Sequence, residues 1–425
     1  MDSTSNPVAR PSTAEKMFVV FALLLSTGAF MNLMITPGEN VDDAAGMVVM
    51  QVLWALIDVA TVILLFRHCK GFAKVLLKEP LLIALVGLAL TSVFWSDAPE
   101  LTVRRSVALL GTVLIGAYLA LRFPLRQQLR LIGTMCWIVI VLSIIFNLLG
   151  LGAAVDQEVG WIGVFVQKNQ LGATMVLSAL VFLCLLKTEL EKSFLTAVGL
   201  ALSTVLIWLS HSMTAAIVFV LCLLIIPLSS ILRRGIGWAV TTILVTGALG
   251  TSAVLWVMAN LDMATQAVGK DVTLTGRLQL WVMSIAMALR KPWFGYGYNA
   301  FWLGPGSPSA HIWKVLHWQV PHAHNGFLEI WLELGLAGVT VFLWGYLVYL
   351  VKALRWLRIS PELFASWPFI FLAFLFLTNL TQSSFISRNT ISLILYVAVA
   401  LTASGRSPMG TGLSVSDRTL LFEEQ

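Results

Sequence analysis

Charge is scarce in this chain. Asp, Glu, Lys and Arg make up 11% of its 425 residues, against 58% hydrophobic residues and a mean hydropathy of +0.89. A soluble globular domain carries about 25% charged residues, so that class is excluded and an integral membrane protein is implied. Cysteine is also rare. Cys69, Cys136, Cys184 and Cys222 fall in apolar runs or in an inner loop, which leaves no extracytoplasmic disulfide framework. The sequence has no Gly-rich phosphate loop and no sizeable inner domain to hold a nucleotide. It also has no outer Asp-x-Asp pair to hold a divalent ion, so neither nucleotide nor metal is expected as a cofactor. The net charge of +6 follows from membrane topology and gives no reason to invoke nucleic acid.

Long apolar sequence is abundant instead. A membrane-crossing helix needs roughly 20 mostly apolar residues, and about twelve such runs fit the chain. They are 17–36, 47–66, 80–95, 106–121, 129–150, 171–186, 194–209, 213–232, 237–258, 326–351, 366–386 and 389–404. Their polarity does not alternate, which favours helices over barrel strands. The third and the last are short enough to tilt little or to be partly re-entrant. The expected fold class is therefore an all-α polytopic membrane protein with about 12 transmembrane helices and one long extracytoplasmic loop. A single transmembrane domain, 1–404, contains that loop at 259–325, and a flexible cytoplasmic tail follows at 405–425. With both termini inside, most of the 27 Lys and Arg lie on the cytoplasmic side. The first run follows a polar leader with no evident cleavage site and reads as a retained anchor.

The basic residues left outside are Arg104, Arg105, Lys168, Lys270, Arg277, Arg290, Lys291, Lys314 and Arg388. Several stand at the outer mouth of a helix, the depth of a lipid phosphate. Arg104 and Arg105 have Asp97 and Glu100 nearby as possible partners, and Lys168-Asn169 opens a span that either residue caps. Arg388 lies in a very short outer turn, where a charge close to the bilayer usually has a partner or a ligand. Asp58 is mid-span; pairing within the bundle is expected, and a proton-coupled transporter would also place a carboxylate there.

The long loop begins with a helix near 274–290, with Leu278, Trp281, Val282, Ile285 and Leu289 at helical spacing and Lys291-Pro292 ending it. Such a helix suits the membrane-water interface. The aromatic residues after it, from Trp293 to Trp318, fit either a headgroup belt or a platform for sugar rings. The segment VPHAHNGFLE then places His322 and His324 two residues apart, from a total of six His. Asn325 is placed to cap the following helix, so His324 stands just before a helix N-terminus. Glu329 and Glu333 share one face of that helix, and Gly335 with Gly338 offers a surface to a neighbouring helix. The two histidines are solvated loop residues, ligands of a metal, or groups for proton transfer. The metal reading lacks further ligands, and imidazole suits proton transfer near neutral pH.

Several stretches in this order, VFWSDAPELTVRRSVALLGT, FVQKNQLGATM, KDVTLTGRLQLW, PWFGYGYNAFW and AHNGFLEIWLELGLAGV, resemble the O-antigen ligase and Wzy-type polymerase superfamily. Within it they are nearest the exopolysaccharide polymerase branch. The resemblance spans residues 80–400; its most specific element is His324-Asn325, followed after nine residues by Gly-x-x-Gly. The chain departs from the family at SHSMTA, where Met213 stands in place of a frequent Arg.

The resemblance implies a GT-C-like membrane glycosyltransferase of the bacterial inner membrane, with the outer loop covering its active site. Its donor is a sugar chain on undecaprenyl diphosphate and its acceptor another lipid-linked chain, with no cofactor and no metal. On this reading Arg277, Arg105, Arg104, Arg388 and Lys168 hold the diphosphate. His324 is the general base, Glu329 orients it, and His322, Asn325 and Asn169 make secondary contacts. Membrane lipids and a chain-length regulator of an export complex are the implied partners. The alternatives are a ligase that transfers the glycan to lipid A-core, and, more distantly, a flippase or transporter of lipid-linked sugar.

Overall fold

The computed structural model describes residues 10–29, 45–69, 72–151, 160–187, 194–232, 273–360 and 363–405. The expected span 237–258, Lys270 and the tail from 406 lie outside the described residues. Among the described residues every regular element is a helix and there is no strand. The expected spans 47–66, 106–121, 171–186, 194–209 and 213–232 lie within helices, whereas 17–36 and 366–386 are helical only over Thr13–Ser26 and Trp367–Asn379 among the described residues.

In chain order these are α1 (Thr13–Ser26), α2 (Ala45–His68), α3 (Phe72–Leu76), α4 (Pro80–Thr91), α5 (Pro99–Arg122), α6 (Leu125–Leu149) and α7 (Lys168–Lys187). There follow α8 (Phe194–Leu209), α9 (Met213–Leu232), α10 (Thr273–Ala288), α11 (Ala310–Leu316), α12 (Gly326–Ile359), α13 (Trp367–Asn379) and α14 (Ile391–Gly405). Among the described residues, five helices are long and apolar enough to cross a membrane: Val48–His68, Pro99–Arg122, Leu125–Leu149, Lys168–Leu186 and Gly326–Ile359. Shorter apolar helices fill the bundle between them.

Local chemistry sets the helix ends. Ser12 and Glu15 form a reciprocal capping box at the start of α1. Glu15 also receives Arg122 Nε and the Tyr118 hydroxyl, each at 2.7 Å, which ties α1 to the end of α5. Pro80 and Pro99 occupy the first turns of α4 and α5, where a missing N–H costs nothing. Inside the bundle, α7 packs on α8, and α14 lies along α5. Gly116 makes the second pairing possible, because a Cβ there would stand 2.6 Å from the Ile394 carbonyl oxygen.

Three expectations need correction. The run 326–351 is not one continuous span. Gly335 has φ 68 and ψ −168, a left-handed conformation that breaks the i to i−4 ladder of α12. Nor do Gly335 and Gly338 receive a neighbouring helix. A Cβ at 335 would overlap the backbone of Trp293, and one at 338 would strike Leu334 of its own helix. Asp58, expected to pair within the bundle, packs against Gly111 and leaves Oδ1 buried without a hydrogen-bond partner.

The break in α12 is filled by the outer loop. Tyr296 N–H donates to the Leu332 carbonyl at 2.8 Å and Gly297 N–H to that of Glu333 at 3.0 Å. In return, Leu336 N–H reaches the Pro292 carbonyl at 2.8 Å and Ala337 N–H that of Trp293 at 3.1 Å. Four backbone groups orphaned by the break are thereby satisfied by another stretch of chain.

The loop also has a small apolar core of its own, in which Tyr296 and Phe301 pack with Leu280, Ile312, Val320, Leu328 and Leu332. These two rings and Tyr298 are buried, so they serve neither as a belt nor as a sugar platform; burying aromatic area holds the loop together. Trp293, Phe294 and Trp318 remain exposed. On α10, Leu278, Val282, Ile285 and Leu289 form an exposed apolar stripe, whereas Trp281 turns inward to the Ala323 carbonyl.

Candidate functional site

The segment from Val320 to Asn325 is pinned by hydrogen bonds at Ala323 and at Asn325. The Ala323 carbonyl accepts from Trp281 Nε1 at 3.0 Å, and the Ala323 N–H donates to Glu329 Oε2 at 2.6 Å. Asn325 N–H donates to Ser383 Oγ at 3.1 Å. The Asn325 side chain accepts from the N–H groups of Phe327 and Leu328 at 3.0 and 3.1 Å, the expected N-cap. Between these anchors His324 adopts φ 51, a costly conformation for a residue other than glycine.

The two imidazoles sit close together, with ring centroids 4.1 Å apart. His324 also stacks on Trp318, at 5.5 Å and 22° between planes. The His324 N–H donates to His322 Nδ1 at 3.2 Å, which assigns the neutral His322 proton to Nε2. His324 Nε2 is buried and has no hydrogen-bond partner. Burial, then the neighbouring His322, then the Arg277 charge push the His324 pKa down to about 3. Burial and Arg277 hold His322 down at about 4. Both rings are therefore neutral at ordinary pH.

A cavity of 260 Å³ opens beside them. Among the described residues its ionisable lining groups are Arg277, His322 and His324. The other polar walls are amides and hydroxyls, among them Gln167, Asn169, Gln170, Gln382, Ser383 and Thr378. A site with one cation, two imidazoles and many neutral hydrogen-bonding groups suits a hydroxyl-rich ligand that carries a localised negative charge. Among the described residues, no three His, Cys, Asp or Glu side chains are placed to hold a metal ion.

The other candidate residues separate into two groups. Arg105 and Arg388 meet on one asparagine: Arg105 donates to the Asn299 carbonyl oxygen and Arg388 to Asn299 Oδ1 at 2.7 Å. Asn299 Nδ2 in turn donates to Glu333 Oε1 at 3.1 Å. Arg104 is exposed, Asp97 pairs with Lys291, and Lys168 lines neither this cavity nor the one beside Glu333. Asn169 does line the first cavity, its Oδ1 accepting from Ser212 at 2.8 Å. Glu329 does not touch His324; its carboxylate holds the backbone one residue earlier, at Ala323. The sequence reading missed Asn299, Gln167 and Gln382. Asn299 carries one local signal, its place after two glycines in GYGYN, where a left-handed residue is favoured.

Residues 198–343 match the family model Wzy_C, described as O-antigen ligase. That segment contains Arg277, Asn299, His322, His324, Glu329 and Glu333, together with the break at Gly335. The exopolysaccharide production protein ExoQ of Rhizobium meliloti (strain 1021) is 28% identical over 261 residues. The aligned region is 59% of this chain and 60% of ExoQ, so the match spans about three fifths of the relative's length. The chain resembles the O-antigen ligase and Wzy-type superfamily, on its exopolysaccharide branch. The matched segment thus includes three residues that line the cavity and belong to α10 or the histidine segment, Arg277, His322 and His324.

Proposed function

We propose that this protein is a membrane glycosyltransferase that polymerises oligosaccharide repeats carried on undecaprenyl diphosphate into exopolysaccharide. The reaction takes place at the periplasmic face of the inner membrane, with both termini of the protein cytoplasmic. The observation that carries this reading is the meeting of Arg277 with His322 and His324 in one cavity rich in neutral amides and hydroxyls. The likeness to an exopolysaccharide production protein supports the product class.

In the proposed step Arg277 binds a diphosphate oxygen, and the acceptor sugar presents a hydroxyl to His324 Nε2. The hydroxyl oxygen attacks the donor's anomeric carbon from the face opposite the diphosphate, inverting its configuration. The anomeric C–O bond breaks, its electron pair leaves with the diphosphate, and the hydroxyl proton passes to His324. Negative charge grows on the leaving group, so a fixed guanidinium stabilises the transition state more than the ground state. The diphosphate also offsets the Arg277 charge and raises the basicity of His324 when base action is needed. No metal or nucleotide takes part.

Purified protein in liposomes with undecaprenyl-diphosphate oligosaccharide tests the reading. Chain extension that is lost in His324→Ala and Arg277→Ala supports it; extension that survives both substitutions overturns the assigned roles. A second reading, transfer of the glycan to lipid A-core, is favoured by the O-antigen ligase description of the matching family. It predicts product only when that acceptor is added.

A further inference from the structure

A second cavity, of 150 Å³, lies on the far side of His322, and His322 and Ser383 line both. It far exceeds the roughly 10–15 Å³ that one water occupies on the same measure. Glu333 lines it, is 3% exposed, and leaves Oε2 buried without a hydrogen-bond partner. An unfilled carboxylate oxygen in a buried site is costly, and native proteins rarely keep one without a ligand or a function. The position is also rigid. Glu333 Oε1 is held by Asn299, and its carbonyl by Gly297 at the helix break.

The surrounding charge specifies the missing partner. Glu329 lines the same cavity, but its Oε2 is taken by the Ala323 N–H, and Arg105 and Arg388 stand on Asn299 beside Glu333; what Glu333 Oε2 lacks is a hydrogen-bond donor. Hydroxyls of Ser383 and Ser387 and the rings of Phe385 and Pro321 also line the cavity. A sugar ring has the matching surface, with apolar C–H faces and a rim of hydroxyls.

We propose that this second cavity is a saccharide subsite in which Glu333 Oε2 accepts a hydrogen bond from a ring hydroxyl. The proposal rests on the glycosyl-transfer reading above and adds to it the residue that recognises sugar rather than diphosphate.

The test uses two probes with full-length protein in detergent. One is the free oligosaccharide released by mild acid from the producing bacterium's lipid-linked repeats; the other is undecaprenyl diphosphate without sugar. Wild type binds both, and Glu333→Gln, which keeps the Asn299 contact, binds the free glycan about tenfold more weakly or worse. Its affinity for the sugar-free carrier stays within twofold. Ser387→Leu adds bulk at another lining position of the same cavity and has the same effect, which decides the matter if Glu333→Gln elutes as aggregate. Glycan binding unchanged in a folded variant, or no glycan binding by wild type, overturns the subsite and leaves the transfer reading in place. Glu333-dependent glycan binding without any chain extension sustains the subsite and removes the transfer reading.

Discussion

The Gly297 amide donates to the Glu333 carbonyl at 3.0 Å, joining the outer loop to α12 two residues before the helix breaks. Glu333 thus has its backbone fixed by the middle residue of the GYGYN segment, Gly297, and its carboxylate fixed by the last, Asn299. Loop and helix form a single piece of backbone architecture, and the histidine segment opens the same helix.

Gly335→Ala is expected to undo that union. The left-handed φ of 68° alone costs a residue with a Cβ about 1–3 kcal/mol, and the new atom would also collide with the Trp293 backbone. A lower thermal midpoint in detergent, with faster proteolysis between Leu289 and Val320, is the expected result. An unchanged midpoint would show that the loop is not held by the break.

His324→Ala should reduce chain extension by about 10²- to 10⁴-fold, the usual effect of removing a general base. Trp318→Ala, which removes only the ring stacked on His324, should act more weakly and leave the yield of folded protein unchanged. Steady-state rates measured beside size-exclusion profiles separate the two effects.

The pH dependence follows from the direction of the histidine shifts. His324 acts in its neutral form, and in the free protein it stays neutral down to about pH 3. The acid limb of kcat/KM, which reports the free enzyme, should therefore lie well below that of kcat, which reports the diphosphate-bound complex. Arg277→Gln removes one of the charges that disfavour imidazolium and should move the kcat/KM limb to higher pH. A limb that stays in place would exclude Arg277 as a neighbour of the titrating base.

Asn299→Gly keeps the left-handed backbone and the carbonyl that Arg105 holds, but loses the contacts to Arg388 and Glu333. Two charge-assisted hydrogen bonds disappear, with an expected cost of about 1–3 kcal/mol each. In a double-mutant cycle with Arg388→Ala the losses should not add, because both substitutions remove the same contact. Additive losses would mean that the Arg388 contact contributes little in solution.

Much of the fold was legible because a lipid-facing helix must be apolar along its whole length. The runs 47–66, 106–121 and 171–186 fall within helices of the structure for that reason. The break at Gly335 was not, since a glycine within an apolar run reads equally as a helix contact. Arg104 and Arg105 read alike in sequence, yet successive residues on a helix point about 100° apart, and only Arg105 reaches Asn299. His324 and its cap at Asn325 were visible locally. The cavity around them was not, because Gln167, Arg277 and Gln382 come from distant segments and no local pattern records their meeting.

The shared hydrogen bonds of loop and broken helix also bear on the order in which the chain is made. Residues 292–297 are synthesised before Gly335, so the loop segment that fills the gap precedes the helix that contains it. In hydrocarbon each bare N–H or C=O costs several kcal/mol, so α12 has no comfortable resting state until that segment has arrived. Biogenesis of the site is therefore sequential: a loop delayed in crossing the membrane would leave the histidine segment without its floor, however well every helix had inserted.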